Sequence, residues 1–303
     1  MTFTDRYAPS PTSDLHLGNL RTALAGWLLT RAAGGTWRMR IEDLDRDRVR
    51  AAEGVEGRQL RDLESLGLTW DGPLVRQSER LDLYRDAVAS LPTYECFCTR
   101  REIAEAASAP HDDGYRPYAG TCRGLTGAER DARRAERPAA IRLDARAATQ
   151  TIQDEFAGQV TSVVDDVVLV RGDGQFAYNL AVVVDDIAMG VDHITRGDDL
   201  LSSAPRQARL TTLLGGTPAR YAHIGLVTNA TGRGSPSGTV PSPSPIWACL
   251  LPRRSPCCAP PWGWGRATQR KKRWPPCLAT SASTPGRCTP TAVLLSPEHR
   301  GCR

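Results

Sequence analysis

Over the first 233 residues the apolar positions fall into short runs with two different periods. Thr2–Ala8 predicts a strand, and from about His16 to Ala33 the positions Leu17, Leu20, Ala23, Leu24, Trp27 and Leu28 recur at helical spacing. Gly34-Gly35 closes that helix, after which Trp37-Arg38-Met39-Arg40-Ile41 alternates as a strand. Helical patterns return over Val55–Leu66, Arg80–Leu91 and Ser203–Leu214. Further strands are predicted at Ala140–Leu143, Val163–Val170, Ala181–Val184, His193–Thr195 and Tyr221–Ile224. A strand–helix–strand opening points to an α/β fold with a parallel sheet and right-handed crossovers. No internal repeat is present.

Beyond Arg233 neither period is sustained, and the composition changes with it. The whole chain has 303 residues and net charge +5, but residues 1–233 hold 29 Arg, no Lys and 33 Asp+Glu, a net charge of −4. Residues 234–303 carry +9, with Glu298 their single acid, and hold 13 of the 22 Pro, 6 of the 9 Cys and 4 of the 7 Trp. Proline removes amide donors and breaks helices and central strands, so this tail is expected to be irregular and disordered. No stretch approaches the roughly 18 apolar residues a spanning helix needs, and Met1-Thr2-Phe3-Thr4-Asp5 has no signal-peptide character. The expectation is a cytoplasmic protein with no membrane association.

Candidate chemistry begins at Arg6-Tyr7-Ala8-Pro9-Ser10-Pro11-Thr12, followed by His16-Leu17-Gly18-Asn19 at the head of the first helix. A strand ends in a proline-stiffened loop, Gly18 lets a ligand approach the backbone, and the helix amino end with His16 can meet phosphate oxygens. Arg40-Ile41-Glu42-Asp43-Leu44-Asp45 places carboxylates at the end of the second strand, where such sheets bind ligands. Gln175–Asp186 and Ile194–Leu200 complete the set. Together, in this order and spacing, these segments resemble the catalytic domain of class I glutamyl-type aminoacyl-tRNA synthetases over about residues 3–233.

Within that group the chain resembles the glutamyl-Q tRNA(Asp) synthetases, short paralogues without an anticodon-binding domain. It is too short for an ordinary glutamyl enzyme, and Asn19 stands where the ordinary enzymes have a second His. The resemblance implies a Rossmann-type catalytic domain with an inserted zinc-containing acceptor-binding subdomain. The expected divisions are residues 1–92 and 166–233 for the two Rossmann halves, 93–165 for the insert and 234–303 for the tail. It further implies activation of glutamate with ATP, with Mg²⁺, and transfer to queuosine at the wobble position of tRNA(Asp), by a monomer. Carried over residue by residue, Arg6, Tyr7, Ala8, Pro9, Ser10, Glu42, Tyr178 and Arg196 line the glutamate pocket, with Arg6 suited to a carboxylate and Glu42 to the ammonium. His16 and Asn19 are the catalytic pair, and with Gly18 they face ATP. Asp43, Asp45, Asp185 and Asp186 are expected to be structural, capping or loop-fixing.

Cys96-Phe97-Cys98 and Tyr118-Ala119-Gly120-Thr121-Cys122 present three thiols in a reducing compartment, which suggests a metal more than a disulfide. The resemblance implies one structural Zn²⁺ held by Cys96, Cys98, Tyr118 and Cys122. On ordinary zinc preferences His111 competes as fourth ligand.

One family feature is missing. A Lys-containing ATP loop should follow Gly225–Arg233, yet Gly234-Ser235-Pro236-Ser237 has no Lys. Reading the codons of Gly234–Trp247 from the last base of each permits Leu-Ala-Lys-Arg-Asp-Gly-Thr-Val-Thr-Leu-Ala-Asp-Leu, which resembles the missing loop. A one-base slip near Arg233 in a GC-rich gene would also explain the Pro, Arg, Cys and Trp that follow, and would make the tail's cysteines accidental. The printed chain is then expected to be impaired. Two other readings stay open. One is a truncated ordinary glutamyl-tRNA synthetase; the other is a non-enzymatic, zinc-stapled RNA-binding relative using Arg270-Lys271-Lys272-Arg273.

Overall fold

In the computed structural model, which describes residues 2–99, 101–103 and 118–227, β1 (Thr4–Tyr7) pairs in parallel with β2 (Thr36–Ile41), Arg6 lying opposite Arg38. Helix α1 (Leu17–Ala32) makes the crossover between them. Its exit is set by two glycines. Gly34 sits at φ +65°, and a Cβ on Gly35 would lie 2.3 Å from the Phe3 carbonyl oxygen, so the turn closes onto β1 only without a side chain. After α2 (Arg46–Ala51) and α3 (Val55–Ser65), β3 (Val75–Arg76) adds to the far side of β2 and α4 (Leu81–Ser90) follows.

A second set of strands continues the layer. β9 (His193–Gly197), β10 (Arg220–Ile224) and β6 (Thr149–Asp154) are parallel, and β7 (Gly158–Val163) folds back on β6 as a hairpin. β1 lies beside β9, and carboxylates close the seam. The Asp192 amide donates to the Thr4 carbonyl at 3.1 Å, the Thr4 amide to Asp192 Oδ1 at 2.7 Å, and the Thr195 amide to Asp5 Oδ1 at 3.2 Å. The order β3-β2-β1 beside β9-β10-β6-β7 reverses direction between β1 and β9, the place where doubly wound sheets open a ligand crevice.

A separate antiparallel sheet joins β4 (Thr93–Cys96), β5 (Ala140–Leu143) and β8 (Val168–Val170). Before β5 runs α5 (Gly127–Glu136), whose start is a capping box of Thr126 and Glu129. The stretch 93–165 therefore supplies β4 and β5 to this sheet and the β6–β7 hairpin to the main one.

Helices α6 (Tyr178–Ala188) and α7 (Ala204–Leu213) pack against each other, and α6 is buried continuously from Leu180 to Asp186. This corrects the strand expected at Ala181–Val184. A short, wholly buried apolar run has no polar face to reveal its period, and its β-branched valines favour a strand reading. The strand expected over Val163–Val170 is likewise two strands, β7 ending at Val163 and β8 starting at Val168. On α1 the buried face is Ala23, Gly26 and Thr30, while Leu17 and Leu28 are about half exposed. A Cβ on Gly26 would approach Thr195 Cβ to 3.2 Å, which is how closely the helix lies on β9.

Among the described residues no helix is long and apolar enough to cross a membrane. The tail, its basic run Arg270–Arg273, its cysteines and His111 lie outside the described residues.

Candidate active site

The carboxyl ends of β1, β2 and β9 and the amino ends of α1 and α6 converge on one place. The loop after β1 is fixed from two sides. The Glu42 amide donates to the Pro9 carbonyl at 3.0 Å, and the Gln59 side-chain amide, on α3, donates to the carbonyls of Ser10 (3.0 Å) and Ser13 (2.7 Å). Pro9 is buried and Ser10 exposed, so the loop turns from the core to the surface within one residue. Tyr7 stacks on Trp37 and donates to the Asn19 carbonyl at 3.3 Å, which ties the loop to α1. Ala8, between Tyr7 and Pro9, is half-buried.

His16 and Asn19 form the N-terminal capping box of α1. His16 Nδ1 accepts from the amides of Gly18 (3.1 Å) and Asn19 (3.4 Å), and Asn19 Oδ1 accepts from the His16 amide at 3.1 Å. A Cβ on Gly18 would meet the His16 ring at 3.0 Å, so glycine is what lets the imidazole fold over the helix start. With Nδ1 accepting, the neutral ring carries its proton on Nε2, which is therefore a donor at the positive end of a helix. That is the arrangement an oxyanion needs.

On the facing side, Arg6, Arg40, Glu42 and Asp186 form one buried ionic chain. Asp186 Oδ1 accepts from Arg6 Nε at 3.1 Å and from Arg40 Nη1 at 2.6 Å, and Arg40 Nη2 donates to Glu42 Oε1 at 3.1 Å. Burial opposes charge on Arg40 and Arg6, but the carboxylates around them together outweigh it, Asp186, Glu42 and Asp185 at Arg40 and Asp186 and Asp5 at Arg6, and hold both guanidiniums charged. Burial likewise works against the Asp186 anion, and the two arginines overcome it, holding its carboxyl below the usual range. At Glu42 burial wins, and the carboxyl sits above its ordinary value despite Arg40 and Arg6. Tyr178, at the start of α6, is partly exposed but close enough to feel the charges of Glu42, Arg196, Arg6 and Arg40. Desolvation and then the Glu42 charge push its phenol up.

Arg196 is more fully engaged than its sequence context suggested. Its Nε donates to His223 Nε2 (2.9 Å), Nη1 to Gln207 Oε1 (2.6 Å) and Nη2 to the Leu200 carbonyl (3.2 Å). Its buried charge is felt by Tyr178 and Tyr221.

Asp45 caps α2 through the Arg48 amide, and Asp43 accepts from the amide and hydroxyl of Ser78. Asp185 is fully buried and accepts from Gln77, Arg80 and Tyr84. These three act as the sequence led one to expect, whereas Asp186 joins the ionic chain with Arg6 and Arg40. Arg40 and Asp186 are the residues sequence reasoning missed. Arg40 alternates with Arg38 on the polar side of its strand, and Asp186 follows an apolar run that reads as a strand, so neither carried a local signal.

Cys96, Cys98 and Cys122 bring their sulfurs within 4.8 Å of one another, and Tyr118 completes a compact, largely buried set. Tyr118 Oη lies 3.4 Å from Cys96 Sγ and 3.5 Å from Cys98 Sγ, and the Cys98 and Cys122 sulfurs are 3.5 Å apart. A tetrahedral zinc with Zn–S of about 2.3 Å and Zn–O of about 2.0 Å sets S···O edges of about 3.5 Å and S···S edges of about 3.8 Å. The four side chains could therefore hold such a metal. Asp165 and Asp166 join this cluster to the rest. Asp165 accepts from the Tyr118 amide and Arg206 on α7, Asp166 from Tyr94, Arg123 and the Ala145 amide.

Residues 2–234 match the family model described as tRNA synthetases class I (E and Q), catalytic domain. The chain is 62% identical over 227 residues to a glutamyl-Q tRNA(Asp) synthetase of Cutibacterium acnes, covering 75% of this chain and 65% of that one. It is 56% identical to the protein of that name from Nocardia farcinica, covering 75% of this chain and 73% of the relative. The crystal structure of a glutamate-tRNA synthetase from Elizabethkingia anophelis superposes with a TM-score of 0.66 at 29% identity, over 78% of this chain and 52% of that one.

Proposed function

The chain belongs to the class I tRNA synthetases of the glutamyl and glutaminyl type, and within them to the glutamyl-Q tRNA(Asp) synthetases; on that footing we propose that its site activates glutamate with ATP and passes it to queuosine in tRNA(Asp). The observation that carries the glutamate reading is the convergence of Arg6 and Glu42. They sit at the carboxyl ends of adjacent parallel strands, joined through Asp186 and Arg40, and offer a buried cation and a partly exposed carboxylate to a zwitterionic acid. Arg6 would pair a substrate carboxylate and Glu42 the ammonium, with Tyr178 and the charge of Arg196 closing the pocket. Tyr7, Ala8, Pro9 and Ser10 would form its floor and rim.

ATP, with Mg²⁺, would lie at the head of α1, where His16 Nε2–H and the side-chain amide of Asn19 donate to phosphate and Gly18 admits it. In the reaction the substrate carboxylate attacks the α-phosphorus of ATP and pyrophosphate leaves; a hydroxyl of the tRNA nucleoside then attacks the acyl carbon of the mixed anhydride, forms the ester, gives up its proton and expels AMP. The residues of this chain contribute by holding the carboxylate and the phosphates in line and by neutralising charge that develops on the leaving group. A zinc ion on Cys96, Cys98, Tyr118 and Cys122 would be structural, clamping the β4–β5 region for contact with the tRNA. The divisions at residues 92, 165 and 233, a monomeric state and a cytoplasmic location accompany this reading.

The Lys-free stretch after Arg233 bears on rate rather than on recognition. Losing one preorganised donor to the transition state costs about 10²–10³ in rate, so the printed chain should bind glutamate yet activate it poorly. ATP–pyrophosphate exchange with glutamate and no tRNA tests this, run on the printed chain and on one carrying Leu-Ala-Lys-Arg-Asp-Gly in place of residues 235–240. Exchange restored without tRNA supports the proposal. Exchange only with tRNA would favour a fragment of an ordinary glutamyl enzyme. Filter-retained tRNA with no adenylate in either chain would favour a non-enzymatic RNA binder.

A further inference from the structure

Arg40 opens the segment that leads to Glu42 and the resemblance implies no role for it, yet it is fully buried and addresses three carboxylates from the end of β2. Its Nη1 is 2.6 Å from Asp186 Oδ1, its Nη2 3.1 Å from Glu42 Oε1 and its Nε 3.7 Å from Asp185 Oδ2. The oxygen of Asp186 that it holds is the one that accepts from Arg6 Nε. A planar guanidinium presents its donors in a fixed fork, so placing one partner constrains the others. The cation end and the carboxylate end of the pocket are therefore not set independently.

We propose that Arg40 is the positioning residue of the pocket, aiming Glu42 directly and Arg6 through Asp186, so that one buried cation fixes the spacing between the group that takes the substrate ammonium and the group that takes its carboxylate. The part of this that concerns glutamate rests on the pocket assignment above; the linkage between Arg40 and Glu42 does not. The charge pattern explains why an arginine stands there. Arg6, Arg40 and Arg80 balance Asp185, Asp186 and Glu42, and removal of Arg40 leaves three anions to two cations. Glu42 is faced by Arg6 from β1, Arg40 from β2, and Tyr178 and Asp186 from α6. The cations favour its anion, and the Asp186 charge opposes it.

The test is the titration of the Glu42 carboxyl in the full 303-residue chain labelled with ¹³C-glutamate, its signal assigned by loss in Glu42→Gln. Equilibrium binding of L-glutamate is measured beside it. Removing an opposite charge in contact with a carboxylate raises its midpoint by about 1–3 units, so Arg40→Gln should move Glu42 up. Asp186→Asn should move it down. A merely structural loss gives no such opposed pair. Glutamate affinity should fall about tenfold or more in Arg40→Gln near pH 6.5, and recover in part as pH rises past the new midpoint. A Glu42 midpoint that stays put in folded Arg40→Gln overturns the proposal. If that variant does not fold, Arg40→Lys decides: it keeps the charge but not the fork, so L-glutamate binding weakened about tenfold upholds the link and unchanged binding overturns it. Opposed shifts in a chain that shows no saturable L-glutamate binding uphold the link and overturn the pocket assignment.

Discussion

The guanidinium of Arg142 lies over the ring of Tyr118, 3.8 Å from its centroid, with its Nη1 donating to the Asp166 carbonyl at 2.6 Å. A buried cation thus braces the one oxygen donor of the Cys96–Cys98–Tyr118–Cys122 set. Arg142→Met keeps the stem and removes both contacts. It should lower stability by about 1–2 kcal/mol, or roughly 2–6 °C in Tm. A thermal melt within about 1 °C of the unaltered chain would assign that stability elsewhere.

The metal reading predicts a stoichiometry. Purified chain should carry one equivalent of zinc by elemental analysis, and Cys98→Ser or Cys122→Ser should lose most of it. Tyr118→Phe should weaken retention against a chelator about tenfold or more, since a three-thiolate site lacks its fourth protein donor. Full retention in Tyr118→Phe would point to another fourth ligand, with His111 the first to replace.

In a chain with the Lys loop restored, Glu42→Gln and Arg6→Lys should each lower glutamate-dependent exchange by about 10²-fold, the equivalent of a lost charged contact worth about 2–3 kcal/mol. Arg6→Lys keeps the charge but not the Nε donor to Asp186. Equal exchange in both variants and the unaltered chain would remove these residues from the pocket.

His193 gives a pH signature of folding. It is buried between Asp5 Oδ2 (3.4 Å) and Glu155 Oε1 (3.1 Å). Burial works against its cation, but the bonds and charges of Asp5 and Glu155 outweigh it, so the folded value is raised above the ordinary imidazole value. A raised value means the folded chain binds the proton more tightly than the unfolded one. The stabilisation is fully present below the unfolded value of about 6.5 and is lost as pH rises through the folded one. The difference in unfolding free energy between the unaltered chain and His193→Gln should therefore be largest at pH 6 and shrink towards pH 8.5. A difference flat across that range would show that His193 stays neutral.

Gly35→Ala tests the turn between α1 and β2. The new Cβ would stand 2.3 Å from a backbone oxygen that also accepts from the Thr36 amide. Strand pairing must shift to admit it, at about 2 kcal/mol or more, which is about 4–8 °C in Tm. An unchanged melt would mean that the chain opens there at little cost.

How much of this was legible in the sequence follows from what each signal depends on. The helices Leu17–Ala32 and Ala204–Leu213 and the strand Thr36–Ile41 could be read directly, because their apolar residues recur at the period of the element and Gly or Pro marks an end. The β6–β7 hairpin left little trace, since Thr, Gln and Ser dominate it and its register is set by pairing with β10. The motif residues that gather at the crevice could be named from their order, since a strand that ends in a Pro loop before a capped helix dictates its own local geometry.

What the tertiary structure alone decided is which charges meet. Arg6 and Asp186 are 180 positions apart, and Arg40 and Asp186 are 146. No local pattern encodes such a pairing, because a buried ion pair is fixed by the packing of α6 on the ends of β1 and β2 and by the cost of leaving any of those charges unpaired away from water. Ala181–Val184 shows the same limit of local pattern. Its valines are buried whichever way they fold, and the position of Asp185 and Asp186 on successive residues of α6 is what lets one carboxylate take Gln77, Arg80 and Tyr84 while the next takes Arg6 and Arg40.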